Sequence, residues 1–400
     1  TGVDDRRGEC DHACRLSIDI GIGINIDTGL DIGMIWTLHA LGELASLAAD
    51  WDRLNLETTA SPLLSTAFIL PLVTHFPVPR IVLARGSIGG DTCAMLLLVP
   101  VGRGVWQTFQ PSQAPLGACV GRTDLDWPAA LSALLPRLPA MATAIGITQQ
   151  DPDLQVRPSD STVVRTMDYI RTARITLDGD FETYWQARGK NLRQNLKKQR
   201  NKLEKDGIVT RLQVTTAPEE VARAVADYGT LESAGWKSQA GTAVHAGNAQ
   251  GAFYTEMLEN FCRTGRGRIY RYWYNQQLAA MDLCIEGGDS IVILKTTYDE
   301  QVAGTTSPAL LMRQEAVALL FGERRLARIE FYGKVLEWHT RWSDEVRTMF
   351  HVTVYRWSIL RTLQEWLRRR PGATGPDPDS NLNPDPNSSP DLAVTAENHP

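Results

Sequence analysis

The chain has 400 residues, of which 43% are apolar and 22% charged, values typical of a soluble globular protein with two or three domains or one duplicated core. Its formal net charge of -5 does not favour nucleic-acid binding by the whole molecule. The 6 cysteines are too scattered for a disulfide scaffold, so a reducing cytoplasm is expected. Cys10 and Cys14 flank His12 without a second ligand pair, and no metal is expected.

An internal repeat is indicated by short matches that recur in the same order with similar spacing. Their order predicts a duplicated unit of helices followed by a meander of strands. The polar, proline-containing segment 151–161 is the predicted boundary between the copies. The matches pair Asp50-Trp51-x-x-Leu54 with Asp227-Tyr228-x-x-Leu231, Ala67-Phe68 with Ala252-Phe253, Arg80-Ile81 with Arg268-Ile269, Ala94-Met95-x-Leu97 with Ala280-Met281-x-Leu283, and Pro115-Leu116 with Pro308-Ala309.

We therefore expect a poorly ordered extension at residues 1–35, a first domain at 36–160, a second domain at 161–370 and a tail at 371–400. The tail contains seven prolines and five acidic residues and lacks Lys and Arg. Such a composition cannot bury enough apolar surface to fold, so the tail is predicted to be disordered.

A long basic helix is predicted at the start of the second domain. Phe181, Trp185, Leu192, Leu196 and Leu203 recur near helical spacing, and the dipeptide at 206–207 supplies a stop. Between residues 188 and 205 eight basic residues face a single acid. This excess favours an anionic neighbour, such as a nucleotide, RNA, an acidic glycan or a membrane surface. The alternative is a solvated helix face. Candidate contacts to the acceptor are Arg193, Lys197 and Arg200.

Residues 268–313 follow the pattern strand, turn, strand, turn, strand, helix. The strands are predicted at 269–274, 278–285 and 290–298, and the helix at 309–321. Ser307 suits the N-cap and Pro308 suits the first helical position. The free amides of that first turn would attract a phosphate or carboxylate. The alternative is an ordinary well-capped core helix.

The preceding turn, Gln301-x-x-Gly304-x-Thr306, nearly repeats the element with which GNAT acyltransferases bind the pyrophosphate of coenzyme A. More broadly, the chain resembles the Fem-like branch of the GNAT superfamily, and within it the acetyltransferase family associated with bacterial cellulose and exopolysaccharide biosynthesis. The resemblance rests on residues 181–207, 231–237 and 295–299, with Ser307-Pro308 and Ile329-Glu330-Phe331. Family members commonly have Ser-Pro-Gly where this chain has Ser307-Pro308-Ala309, and Asp-Phe-Gly where it has Glu330-Phe331-Tyr332.

The resemblance implies an α/β (α+β) fold of tandem GNAT-like domains, each a mixed, largely antiparallel sheet flanked by helices. The first domain is expected to be degenerate and the second to carry the donor site. The implied donor is acyl-coenzyme A, bound by Gln301, Gly304, Thr305, Thr306, Ser307 and Ala309.

Aminolysis of a thioester needs a base for the acceptor amine and stabilisation of the departing thiolate. Glu232 and Glu330 are candidate bases because each lies in an apolar stretch, and Tyr298 is the candidate acid. The alternatives are that Glu232 and Lys237 form a salt-bridged helix end, that Tyr298 is a core aromatic, and that Glu330 is a buried hydrogen-bond partner. Candidate acceptor or phosphate contacts are Trp236, Lys237 and Lys295.

The expected function is transfer of an acyl group from coenzyme A to an amine of an anionic cell-envelope saccharide or peptide. The expected location is the cytoplasm, at the inner face of the membrane. One alternative is a Fem-type ligase that uses aminoacyl-tRNA, in which case the basic helix would contact RNA. Another is a catalytically silent polysaccharide-assembly factor.

Overall fold

Thirteen strands and ten α-helices are present in the computed structural model, which describes residues 33–102, 104–234, 244, 247–302 and 306–368. Cys10, Cys14, Trp236, Lys237, Gly304, Thr305 and the tail at 371–400 lie outside this described part. The strands are β1 Met34–Ala40, β2 Val82–Ile88, β3 Asp91–Gly102, β4 Val105–Thr108, β5 Cys119–Gly121, β6 Ala144–Gln150, β7 Val164–Thr176, β8 Thr210–Thr215, β9 Gly267–Tyr274, β10 Gln277–Gly287, β11 Ser290–Tyr298, β12 Arg328–Glu330 and β13 Val346–Tyr355. The helices are α1 Ala48–Thr58, α2 Thr66–His75, α3 Trp127–Leu134, α4 Phe181–Ala187, α5 Lys190–Lys205, α6 Pro218–Ala234, α7 Ala249–Arg263, α8 Pro308–Glu323, α9 Glu337–Trp342 and α10 Ser358–Arg368.

The strands form one mixed sheet whose two halves have matching strand orders on either side of its centre. Their order is β1-β2-β3-β4-β6-β13-β7-β12-β11-β10-β9-β8, and β5 pairs with β3. The β4–β6 and β11–β12 pairs are parallel, and the other pairs are antiparallel. Read outward from the central β13–β7 pair, each strand of one half has a counterpart of the same order in the other half. The predicted mixed sheet flanked by helices is therefore confirmed.

The final strand of each repeat lies beside the other repeat. β7 follows β6 in the chain but pairs with β12, and β13 follows β12 but pairs with β6. The predicted boundary segment at 151–161 lies between β6 and β7. The division into domains at 36–160 and 161–370 stays a proposal.

Successive residues of a strand point to opposite faces of the sheet. Apolar side chains lie on both faces, and helices cover them on each. One apolar cluster unites α1 and α2 of the first repeat with α6 and α7 of the second. On the other face, α3 covers the first repeat, and α4, α5 and α8 cover the second. The cluster that contains α1, α2, α6 and α7 therefore joins the two repeats, and we call it the shared core.

Most of the matched sequence pairs occupy equivalent elements. Trp51 lies on α1 and Tyr228 on α6, while Phe68 lies on α2 and Phe253 on α7, and all four are fully buried in the shared core. The last match is wrong. Residues 115–116 lie in the loop between β4 and β5, whereas Pro308 begins α8.

The predicted long basic helix is two helices. Arg188, between α4 and α5, is extended with φ -74° and ψ 156°. Its N–H donates to the carbonyl oxygen of Trp185 at 3.0 Å, and its guanidinium donates to that of Trp342 at 3.0 Å. Both helices still place apolar side chains in one cluster with α8. The predicted stop is confirmed, since Gly207 adopts a left-handed φ of 68° two residues after α5 ends.

Among the described helices, none combines the length and the apolar character needed to cross a bilayer.

Candidate active site

β11 and β12 separate after a short parallel pairing. They pair from Ser290 with Arg328 to Val292 with Glu330, and β11 then continues to Tyr298. The chain after β12 turns away, because the N–H of Phe331 donates to the carbonyl oxygen of Ala173 on β7 at 3.0 Å. The gap between the strands is a cavity of about 60 Å³. Its walls include Lys295, Thr296 and Tyr298 from β11, Ala309 and Arg313 from α8, and Phe331, Tyr332 and His339 from the opposite side.

The start of α8 borders this cavity through Ala309. Ser307 occupies the N-cap and Pro308 the first turn, as the sequence predicts, but the Ser307 side chain makes no capping hydrogen bond. The N–H of Ser307 instead donates to Oε1 of Gln199, a buried residue of α5, at 2.7 Å. Thr306 is buried and accepts a hydrogen bond from the Tyr274 hydroxyl at 3.2 Å. The positive end of the α8 dipole thus faces the cavity without a carboxylate cap.

In the first repeat the equivalent gap, between β4 and β6, is bridged by hydrogen bonds. Thr108 and Thr148 join β4 to β6 through their hydroxyl groups at 2.6 Å, and the N–H of Gly117 donates to the Thr148 carbonyl oxygen at 3.2 Å. A Cβ on Gly117 would collide with both threonines. The helix that corresponds to α8, α3, is capped by Asp126, which accepts from the N–H of Ala129 at 3.0 Å. A cavity of about 270 Å³ borders the start of α3 as well, with Asp126, Trp127 and Pro128 in its wall. The carboxylate of Asp126 repels an anion there, whereas the N-cap of α8 is the uncharged Ser307.

A β-bulge directs Lys295 toward Glu232. In the β10–β11 register Cys284 pairs with Ile293 and Leu283 with Lys295, which leaves Leu294 as the extra residue. The Lys295 ammonium lies 3.7 Å from Oε1 of Glu232, and both side chains are buried. Oε2 of Glu232 accepts from the N–H of Val244 at 2.6 Å. Glu232 is therefore separated from the cavity by Lys295, with which it pairs.

Glu330 belongs to a second buried network. Its Oε2 lies 2.7 Å from a guanidinium nitrogen of Arg347, which also holds Asp151 through two bonds of 2.8 and 2.7 Å. The Tyr332 hydroxyl donates to Asp151 at 2.9 Å. Burial raises the pKa of Glu330, while Arg347 opposes that rise. This carboxyl group is thus suited to exchange a proton nearer neutrality than an exposed glutamate.

Tyr298 lies in the cavity wall and is half-buried. Burial raises the pKa of its phenol, and nearby Glu300 adds to the rise. The hydroxyl group therefore stays protonated at neutral pH and can donate a proton, as its predicted role requires.

Arg313 and Asp282 are buried charges that the sequence reasoning missed. Their side chains pair at 2.9 Å across α8 and β10, and the Thr296 hydroxyl donates to Asp282 at 2.6 Å. The Arg313 guanidinium also lies 5.4 Å from the centre of the Phe331 ring. A charge within each of two otherwise apolar runs is the sequence signal that could have found the pair.

His339 completes the inner end of the cavity as a neutral side chain. Burial lowers its pKa to about 3, and Arg313 contributes to the lowering. Its Nδ1 accepts from the N–H of Leu336 at 3.0 Å.

The remaining predicted residues lie away from the cavity wall. Arg200 of α5 donates to Glu315 at 2.8 Å and to Gln314 at 3.0 and 3.2 Å, so it is tied to α8. Arg193 donates to Gln186 at 2.6 Å, Lys197 is exposed, and the N–H of Gln301 donates to Asp299 at 2.9 Å. The roles assigned to all predicted site residues stay predictions.

The described residues contain no group of His, Cys, Asp or Glu side chains arranged to hold a metal ion.

Comparison with known families identifies the second repeat. Residues 190–340 match the family model of the acetyltransferase (GNAT) domain. This region is a GNAT-type acyltransferase domain, and it contains the cavity, the α8 start and the Lys295–Glu232 and Arg313–Asp282 pairs. Arg347 and Asp151, the partners in the Glu330 network, lie outside the matched residues. The protein is an acyltransferase.

Several solved structures are similar to this chain, though distantly. FemX is 9% identical with a TM-score of 0.49, covering 82% of this chain and 100% of its own. L-PGS from Bacillus licheniformis is 13% identical with a TM-score of 0.48, covering 80% and 97%. A tandem GNAT protein from the clavulanic acid biosynthesis pathway is 12% identical with a TM-score of 0.42, covering 80% and 98%. No curated protein sequence matches this chain.

Proposed function

We propose that the cavity between β11 and β12 binds acyl-coenzyme A and that the domain transfers the acyl group to an amine. The observation that carries this proposal is the separation of the two strands beside the start of α8. Beyond Val292 the pairing of β11 with β12 ends, and this part of β11 would bind the two amides of the pantetheine arm. At the start of α8 the helix dipole and the N–H of Ala309 would attract the pyrophosphate, since Pro308 has no N–H and those of Leu310 and Leu311 donate to the Ser307 carbonyl oxygen. Gln301, Gly304, Thr305 and Thr306 stay candidate contacts on the strength of the sequence.

In the proposed reaction the acceptor amine attacks the thioester carbonyl carbon. The C–N bond forms, the C–S bond breaks, and the amine loses one proton. Glu330 is our first choice to take that proton, because burial raises its pKa toward the working range of a general base. Tyr298 would give a proton to the departing thiolate. Lys295 and Glu232 would position the carbonyl group through their buried pair.

We propose an amine of a cell-envelope saccharide or peptide as the acceptor. The support is electrostatic, because α5 carries an excess of basic side chains next to α8 and Lys197 is among its exposed ones. Trp236 and Lys237 follow α6 directly in sequence and stay candidate acceptor contacts. The same excess of positive charge would suit aminoacyl-tRNA as donor. The binding experiment must therefore include tRNA.

Calorimetry with coenzyme A, acetyl-coenzyme A and tRNA tests the proposal. Ser307→Asp introduces at α8 the carboxylate cap that Asp126 provides at α3. We expect the variant to fold with equal or greater stability, because Asp is at least as good an N-cap as Ser. It should bind coenzyme A at least about tenfold more weakly, because the new charge repels the phosphates.

Asp126→Ser is the matched control and should leave coenzyme A affinity unchanged. Binding of tRNA without coenzyme A would establish the aminoacyl-tRNA alternative in place of this proposal. Failure of the folded protein to bind either donor would favour a non-catalytic assembly factor.

A further inference from the structure

Helix α10 carries an apolar stripe on the side that faces away from the sheet. Its orientation is fixed by Arg361, whose guanidinium donates to the Val164 carbonyl oxygen of β7 at 2.8 Å. Ile359, Leu363 and Trp366 are spaced four and three residues apart, so they lie on one side of the helix. Their exposed fractions are 72%, 49% and 49%, values unusual for such large apolar side chains grouped together.

Two neighbouring elements add apolar side chains at the same end of the sheet. Arg356, just before α10, donates through its backbone N–H to the Thr143 carbonyl oxygen at 2.8 Å. Close to Thr143 in sequence, Met141 is 73% exposed. It lies in a turn where Ala140 and Met141 both adopt a positive φ, of 58° and 50°, which L residues rarely do. Val101, at the end of β3, is half exposed.

The sequence of α10 and the residues around it is basic, although Arg361 is paired with Asp160 at 3.5 Å. Residues 356–370 contain five arginines and one glutamate, a net charge of +4. A helix with exposed Trp, Leu and Ile on one side and several Arg residues has the composition of helices that lie in the interface of an anionic bilayer. A two-fold contact with a second copy would instead bring these like charges together.

We propose that α10, with Met141 and Val101, docks this protein onto the surface of an anionic lipid bilayer. Ile359, Leu363 and Trp366 enter the headgroup and acyl boundary, and the excess of arginine in the sequence 356–370 favours an anionic surface. The contact is parallel to the membrane plane and holds the sheet end of the first repeat against the lipid. It does not depend on the proposed donor or acceptor, since none of these residues lines the cavity at α8.

Co-sedimentation of the full chain with vesicles tests this surface. One set of vesicles is pure phosphatidylcholine, and the other contains about 30% phosphatidylglycerol, as an anionic surface requires. We expect binding to the anionic vesicles that weakens as salt increases. The double variant Ile359→Ser with Trp366→Ser should bind at least about tenfold more weakly, because two apolar anchors are lost.

The matched control is Leu56→Ser with Val209→Ser, which removes two side chains that are 59% and 70% exposed elsewhere on the protein. It should bind vesicles like the parent. Equal binding by the Ile359/Trp366 variant would overturn the proposal, as would absence of binding to both vesicle types at low salt. Light scattering tests for a dimer. If the parent is a dimer that does not bind vesicles, and the Ile359/Trp366 variant is a monomer, the stripe is a subunit interface.

Discussion

The ring of Phe68 meets the ring of Phe253 edge to face, with their centroids 5.5 Å apart. The two residues occupy matching positions in the two copies of the internal repeat, on α2 and α7. Equivalent residues of the repeat therefore contact each other at the interface that joins the copies. Phe76 and Tyr254 extend this contact, with ring centroids 5.6 and 5.0 Å from that of Phe253.

Truncation of either ring should destabilise the whole chain. Phe253→Ala is expected to lower the free energy of unfolding by about 3–5 kcal/mol, because a fully buried ring leaves a cavity. A double-mutant cycle with Phe68→Ala should give a coupling of about 0.5–1.5 kcal/mol, the range for an edge-to-face pair. Urea unfolding measures both values. Additive effects of the two variants would show that the rings do not stabilise each other.

The pH dependence of turnover should report the carboxyl group of Glu330. Activity is expected to fall as the pH is lowered through the raised pKa of this group, because the protonated form cannot accept the amine proton. Glu330→Gln should remove that acidic limb and lower kcat by about 10²- to 10⁴-fold. Arg347 keeps Asp151 as a partner in the variant, so the fold should survive. Glu232→Gln is the comparison. If Glu232→Gln, and not Glu330→Gln, removes the acidic limb of the pH profile, then Glu232 is the base.

Acid should destabilise the protein through two buried histidines. Burial and Arg313 lower the pKa of His339 to about 3, and burial lowers the pKa of His351 to about 4. Both are near 6.5 in the unfolded chain, which therefore binds more protons than the folded chain as the pH falls below about 6.5. Stability should be fully present above that pH and should decline as the pH falls, down to about pH 4 for His351 and about pH 3 for His339. In His351→Gln the decline measured by urea unfolding should be shallower, and an unchanged slope would contradict this account.

Charge reversal at Lys197 and at Arg200 should change the free energy of unfolding by different amounts, although both are basic residues of α5. Lys197→Glu should change the free energy of unfolding by less than about 0.5 kcal/mol, as is usual for an exposed site. Arg200→Glu should cost more than about 1 kcal/mol, because the new carboxylate would face Glu315, which also accepts from the Tyr272 hydroxyl at 2.6 Å. Lys197→Glu then tests acceptor binding without a change in stability, which Arg200→Glu does not. Lys197→Glu should raise the KM for an anionic acceptor. Equal stability losses in the two variants would contradict these assignments.

Local signals predicted the elements that frame the cavity. The strands around the turn at 275–276 and around Gly288, and the start of α8 at Ser307-Pro308, follow from turn and capping chemistry that a few neighbouring residues determine. The break before α5 had a local signal too, because Gly189 interrupts the helical pattern.

Partnerships between distant residues could not be predicted in the same way. Arg347 lies far along the chain from Asp151, and nothing near either residue specifies the other. The pairing of β7 with β12 likewise depends on which strand edges meet after collapse. The partners of Glu330 and most of the cavity wall therefore needed the structure, although Glu330 itself and the wall residues Lys295, Tyr298 and Ala309 were chosen from sequence.

The exchange of β7 and β13 has a consequence for synthesis on the ribosome. β6 pairs with β4 early but finds its second neighbour, β13, only when residues 346–355 have emerged, so one edge of β6 stays open during most of translation. A chain released between the repeats would expose that edge permanently, and its complement would lack the strand that flanks β12. Neither repeat can complete its part of the sheet alone, so the full sheet forms only after β13 has been synthesised.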